Sequence, residues 1–145
     1  MIQRLQSIFY LLTGGVFFSE FGLAFATSNN ANSKFFEDYV YNINDHILLL
    51  VLTCLGGAIA LVNIFLFKKR ALQIRLGYLL IVLAVLLPVL AAVLMLTGGE
   101  ATAPGEDITE QAGLFVPVLA VIFAFLGNRY TKKDHALVQS MDRLR

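Results

Sequence analysis

The chain has 145 residues, of which 58% are hydrophobic and 14% charged, with a formal net charge of +1. An ordinary soluble domain carries about 25% charged residues, so the composition points to a single-domain membrane protein. One cysteine and two histidines exclude an internal disulfide and a zinc cluster.

Residues 5–26 form the first apolar run, after Arg4. About 20 apolar residues rising 1.5 Å each cross a ~30 Å hydrocarbon layer, so a transmembrane helix is expected. Ala24-Phe25-Ala26 has the small-residue character of a signal-peptide cleavage site. The length of the run favours an uncleaved helix instead. Gly15, Ser19, Gly22 and Ala26 share one helical face. Small residues so spaced let two helices approach closely in lipid. Glu20 lies beside this stripe, the only acidic or basic residue lying more than one residue inside the ends of any predicted span.

Residues 27–45 are polar, with aromatics and acids in their second half (Phe35, Phe36, Glu37, Asp38, Tyr39, Tyr41) that suit a segment at headgroup level. The second span covers residues 46–67. Thr53, Gly56, Ala60 and Asn63 make its small or weakly polar stripe, widened by Gly57, and are the expected counterpart of the stripe on helix one. Asn63 is expected to hydrogen-bond a neighbouring helix. Cys54 reads as a small core residue.

The third span, residues 76–97, follows the cations Lys68, Lys69, Arg70 and Arg75 and carries Pro88, where a kink is expected. A second polar loop, 98–110, ends with Asp107 and Glu110 at the spacing of a capping box. The fourth span then covers residues 110–130, with Pro117 in its second turn. Counted inward from the outer ends, Glu20 is level with Thr53 and Pro117. No cation lies at that depth, so Glu20 is expected to be protonated and to donate to Thr53 or to a carbonyl near Gly113 that Pro117 leaves free. Glu20, Thr53 and Asn63 are therefore the candidate intramembrane polar site.

Thr131 and Asp134 can cap a new helical turn for the tail, residues 131–145. Leu137, Met141 and Leu144 form an apolar stripe beside Arg143 and Arg145, the pattern of a short amphipathic helix. Such a helix can lie on an anionic leaflet or dock on a cytoplasmic partner.

Charge sets the orientation. In a four-span chain, Arg4, the 68–75 cluster, Arg129, Lys132, Lys133, Arg143 and Arg145 share one side, with Asp134 and Asp142 the acids there. The other side holds Lys34 and the acids Glu37, Asp38, Asp45, Glu100, Glu106, Asp107 and Glu110. The positive-inside rule places both termini in the cytoplasm. The expected architecture is all-α, an antiparallel bundle of four transmembrane helices within residues 1–130 with a cytoplasmic amphipathic tail.

The opening Met1-Ile2-Gln3-Arg4-Leu5-Gln6 and the closing stretch from Lys133 to Arg145 resemble the two ends of a bacterial family known as domain of unknown function 4293, typical of the Bacteroidota. His135 stands where that family suggests an acid, and Met141 where it suggests a small residue. The resemblance implies a bacterial inner-membrane protein whose identity is concentrated at its cytoplasmic ends. It implies no catalytic residue.

His46 and His135 lie at opposite ends of the spans, and Cys54 is alone, which argues against metal, haem or dithiol chemistry. No phosphate-binding glycine loop or nucleophile elbow is present. Topology accounts for the cations, so nucleic acid has no support as a partner. No cofactor and no small-molecule substrate is expected, and no enzymatic activity. The expected partners are the lipid bilayer and other membrane or cytoplasmic proteins, as for an accessory or scaffolding subunit. The alternative is a small transporter or proton-conducting protein using Glu20.

Overall fold

The computed structural model describes residues 2–28, 38–97 and 108–142. Four long helices dominate it: α1 (Ile2–Ser19), α2 (Ile47–Phe65), α3 (Arg70–Thr97) and α5 (Pro117–Asp142), with a single turn, α4 (Ala112–Phe115), ahead of the last. Among the described residues, three stretches are long and apolar enough to cross a membrane: Ile47–Lys68, Arg70–Thr97 and Ala112–Ser140.

The buried faces share one rhythm. They run Gln6, Tyr10, Thr13, Phe17 and Glu20 on α1 and its following turn, and Leu49, Thr53, Gly56, Ala60 and Asn63 on α2. On α3 they run Gln73, Gly77, Leu80, Ala84, Leu87 and Ala91. Along α4 and α5 they run Gly113, Pro117, Ala120, Ala124, Gly127 and Thr131. Every series advances by alternating steps of four and three, a mean of 3.5 residues, which is the period that keeps a seam buried between left-handed supercoiled helices. Helix α1 packs beside α2 and α5, and α3 packs beside the same two. Neighbours run antiparallel: a side chain at Gly14 would meet Ala60 and one at Gly56 would meet Phe17, while Tyr10 reaches Thr131.

The opposite end from the α2–α3 turn carries a feature absent from the sequence reading. Strands β1 (Ala26–Ser28), β2 (Val40–Tyr41) and β3 (Ile108–Glu110) form an antiparallel sheet in the order β2-β1-β3. Ala26 pairs with both Tyr41 and Glu110. This sheet corrects two span limits. Helix α1 stops at Ser19, a 3-10 turn covers Glu20–Gly22, and Leu23 is already extended at φ −117°, ψ 142°. The stretch to Ala26 is drawn out because its amides enter the sheet layer, where the Phe25 N–H donates to Tyr41 O at 2.8 Å. Glu110 lies in a strand rather than at a helix start. The Gln111 and Gly113 N–H groups donate to Phe25 O and Ala24 O, each at 2.9 Å. A side chain at Gly113 would come within 2.5 Å of Ala24 O, so this approach requires glycine.

Pro117 opens α5 directly after the single turn of α4, and so stands in the second turn of the stretch Ala112–Ser140. The first helical position needs no N–H, and proline's fixed φ suits it. Further along, α5 passes through Tyr130 and Thr131 unbroken. The Thr131 hydroxyl donates to Gly127 O inside the helix at 2.9 Å instead of capping a new one. Helix α3 likewise continues through Pro88.

Candidate functional site

Six polar side chains converge near the α2–α3 turn. Gln6 and Tyr10 come from α1, Asn63 from α2, Gln73 from α3, and Asn128 and Thr131 from α5, all buried. Asn63 Nδ2 donates to Gln73 O at 3.3 Å, and Gln73 Nε2 donates to Asn63 O at 3.0 Å. Tyr10 Oη lies 3.3 Å from Thr131 Oγ1. Glycine makes room for the phenol: a Cβ at Gly77 would lie 2.9 Å from Tyr10 Oη, and one at Gly127 would lie 3.1 Å from the ring. Both side-chain polar atoms of Gln6 and the amide oxygens of Asn63, Gln73 and Asn128 have no hydrogen-bond partner among the described residues. The layer is neutral and rich in acceptors. A buried amide pairs only at its own depth, so the layer fixes helix register more readily than it moves charge.

Of these six, the sequence singles out Asn63 for a bond to a neighbouring helix, and that helix is α3. Gln6, Tyr10, Gln73, Asn128 and Thr131 were missed, although Gln6, Tyr10 and Thr13 already carry the four-then-three spacing.

Glu20 lies at the sheet end, 1% exposed. Neither carboxylate oxygen has a partner among the described residues. The expected bond from Glu20 to Thr53 or to a carbonyl near Gly113 is therefore not made, and the Thr53 hydroxyl donates to Leu49 O in its own helix at 2.9 Å. Asn63 belongs to the other end of the bundle. The three residues of the candidate polar site are therefore not brought together. One helical turn from Glu20, the Phe17 ring fills the interior against Gly56.

The small-residue stripe on α1 is also corrected. Gly15, Ser19 and Gly22 are exposed, and a Cβ at Gly15 or Gly22 would meet nothing within 4 Å. Gly14, Phe17 and Phe18 of α1 meet α2, and Thr53, Gly56, Gly57, Ala60 and Asn63 of α2 are all buried. The helices meet as knobs in holes: a Cβ at Gly56 would lie 2.4 Å from Phe17, and one at Gly57 would lie 2.6 Å from Phe18. The aromatics on α1 fill the space that Gly56 and Gly57 leave, so large meets small there, while Gly14 against Ala60 keeps one approach of small on small. Cys54 is exposed on α2 and is not a core residue.

Outside the bundle core, the α2–α3 turn faces the far part of α5. Arg70 Nε and Asp134 Oδ2 pair at 2.7 Å with both side chains partly buried. Beside them lies a groove of about 610 Å³, lined by Lys68, Lys69, Arg75, His135 and Gln139 among others. Leu137 is 47% exposed. Arg143, Leu144 and Arg145, with the side chain of Met141, lie outside the described residues. Among the described residues no three His, Cys, Asp or Glu side chains gather as a metal site would require.

Comparison with curated proteins and with solved structures returns no match. A family model described as a domain of unknown function (DUF4293) matches residues 2–144. With nearly its whole length covered, the chain belongs to the DUF4293 family.

Proposed function

We propose that the chain is a four-span protein of the bacterial inner membrane with both termini in the cytoplasm. Its role in this reading is that of an accessory or scaffolding subunit in a larger membrane assembly, not that of an enzyme. The spans are α1 with its 3-10 turn, α2, α3, and α4 with α5 as far as Tyr130. Large apolar side chains exposed on every long helix support membrane residence: Ile8, Leu11 and Phe18 on α1, Val51 and Leu55 on α2, Val82 and Val89 on α3, Ile122 and Phe125 on α5. Apolar surface on this scale calls for lipid or protein cover. The charge asymmetry supports the orientation.

One observation carries the subunit role. Helix α5 continues past the apolar region to Asp142, so that 131–142 extends it by about 18 Å at 1.5 Å per residue. Arg70 ties this arm to α3 through Asp134, and Leu137 stands exposed on it. A helical arm held at a set angle with an apolar contact point suits recognition by another protein. A photo-crosslinking residue at Leu137, compared with one at the lipid-facing Ile122 in native membranes, tests this. The expected result is one discrete protein adduct from position 137 and none from 122. No protein adduct at any exposed arm position would sink the reading.

A transporter or proton-conducting role for Glu20 is the second reading, favoured by its unpartnered, buried carboxyl group. Weighing against it, Phe17 separates Glu20 from the polar layer at the other end, and that layer carries no acid.

A further inference from the structure

We propose that the groove between the α2–α3 turn and the far part of α5 binds the phosphate headgroup of an anionic phospholipid. The inference rests on the membrane reading above and is independent of the subunit role.

Positive-inside placement asks for cations on one side of a membrane protein, but not for their convergence on one concavity. Here Lys68, Lys69 and Arg75 line the same groove of about 610 Å³, with His135 and Gln139 contributed by α5. Asp134, the acid nearest this groove in sequence, is engaged by Arg70, and that pair is the only salt bridge among the described residues. Among the described residues, Lys68, Lys69 and Arg75 therefore have no carboxylate partner. The first turn of the 28-residue α3 also lines the groove through Ala71, and leading amides at a helix start favour an anion. Arg and Lys beside such amides form the donor set that recognises phosphate oxygens.

Position selects a lipid over a soluble phosphate. Leu72 lines the groove and is 41% exposed, and Phe65 and Phe67 beside the turn are 77% and 43% exposed. A headgroup held by the cations would leave its acyl chains against this apolar surface. The Arg70–Asp134 pair joins the two walls, so the groove is fixed before a ligand arrives.

The test uses the full chain in mild detergent, with native mass spectrometry counting retained phosphatidylglycerol against phosphatidylcholine. The wild-type chain is expected to prefer phosphatidylglycerol. The variant Lys68→Gln/Lys69→Gln/Arg75→Gln, altered only at exposed positions, is expected to lose that preference by about tenfold or more. A control, Arg129→Gln/Lys132→Gln/Lys133→Gln, removes equal charge outside the groove and is expected to keep it. Equal loss in both variants, or no wild-type preference, overturns the proposal. Displacement of the lipid by millimolar glycerol phosphate as effectively as by added phosphatidylglycerol would assign the groove to a soluble anion and overturn the lipid source. Flotation with neutral vesicles reads membrane residence separately, and its failure would remove the membrane reading and this inference with it.

Discussion

The ring of Phe17 occupies the space a side chain at Gly56 would need: a Cβ there would lie 2.4 Å from Cε1 of the ring. Both residues are buried, so neither can turn outward to relieve a clash. Gly56→Leu is expected to destabilise the bundle by about 1–3 kcal/mol through overpacking. Gly15→Ala serves as the control, since a Cβ there meets nothing within 4 Å, and should be neutral or stabilising by up to about 1 kcal/mol. Thermal unfolding in detergent distinguishes the two. Equal losses at both glycines would contradict the packing.

The reciprocal pair formed by Asn63 and Gln73 should behave as a unit. Each side chain donates to the other residue's backbone carbonyl across the α2–α3 hairpin. Single leucine substitutions are expected to cost about 0.6–1.7 kcal/mol each, the range for polar contacts between membrane helices. The double variant should cost less than the sum, because the two bonds hold one geometry. Strict additivity in a double-mutant cycle would show that they act independently.

For Glu20 the structure reverses the expected sign. A carboxyl donating to Thr53 would make Glu20→Leu costly, but neither carboxyl oxygen of Glu20 has a partner among the described residues. A buried polar group without a partner costs stability, and an apolar replacement of similar shape removes that cost. Glu20→Leu should leave the melting temperature unchanged or raise stability by up to about 2 kcal/mol. A clear fall would mean that the carboxyl makes a bond after all.

Tyr41 lies in the sheet end, outside the helices, and its hydroxyl donates to Ala91 O at 3.2 Å. Burial, assisted by the negative charge of Asp45, pushes its pKa from 10.0 up to about 12. A folded-state value above the unfolded one means stability fully present below pH 10 and lost as pH rises toward 12. The loss should be of order 3 kcal/mol across that window, at about 1.4 kcal/mol per unit. Tyr41→Phe should abolish this step while costing about 1 kcal/mol at neutral pH. Denaturant unfolding at both pH values checks it. An unchanged alkaline step in the phenylalanine variant would assign the transition elsewhere.

Apolar length made α2 legible almost to the residue, 46–67 in the sequence against Ile47–Phe65 in the structure. The same measure started the third helix too late. Hydropathy counts the apolar length of a helix, whereas Arg70–Arg75 continue the same hydrogen bonding beyond it. On α1, attention to residue size selected Gly15 and Ser19, while the 3.5-residue period of Gln6, Tyr10, Thr13 and Phe17 marked the true inner face. The sheet was not legible. Its strands are two or three residues long, too short to show a period, and β1 and β3 are brought together only by the helices between them. Glu20 stands out in the sequence as an acid within an apolar run, but its surroundings depend on where the helix ends, and the sheet decides that.

The central claim is a chain that crosses the membrane four times with the arm of α5 in the cytoplasm, and cysteine labelling in intact spheroplasts tests it most directly. In a Cys54→Ser background, single cysteines at Gln3, Tyr39, Lys69, Thr109 and Ser140 sample each segment between and beyond the proposed spans. A membrane-impermeant maleimide should label Tyr39→Cys and Thr109→Cys in intact spheroplasts, and Gln3→Cys, Lys69→Cys and Ser140→Cys only after the membrane is opened. Labelling of Gln3→Cys and Tyr39→Cys from the same side would remove α1 as a span, and external labelling of Ser140→Cys would contradict the cytoplasmic arm.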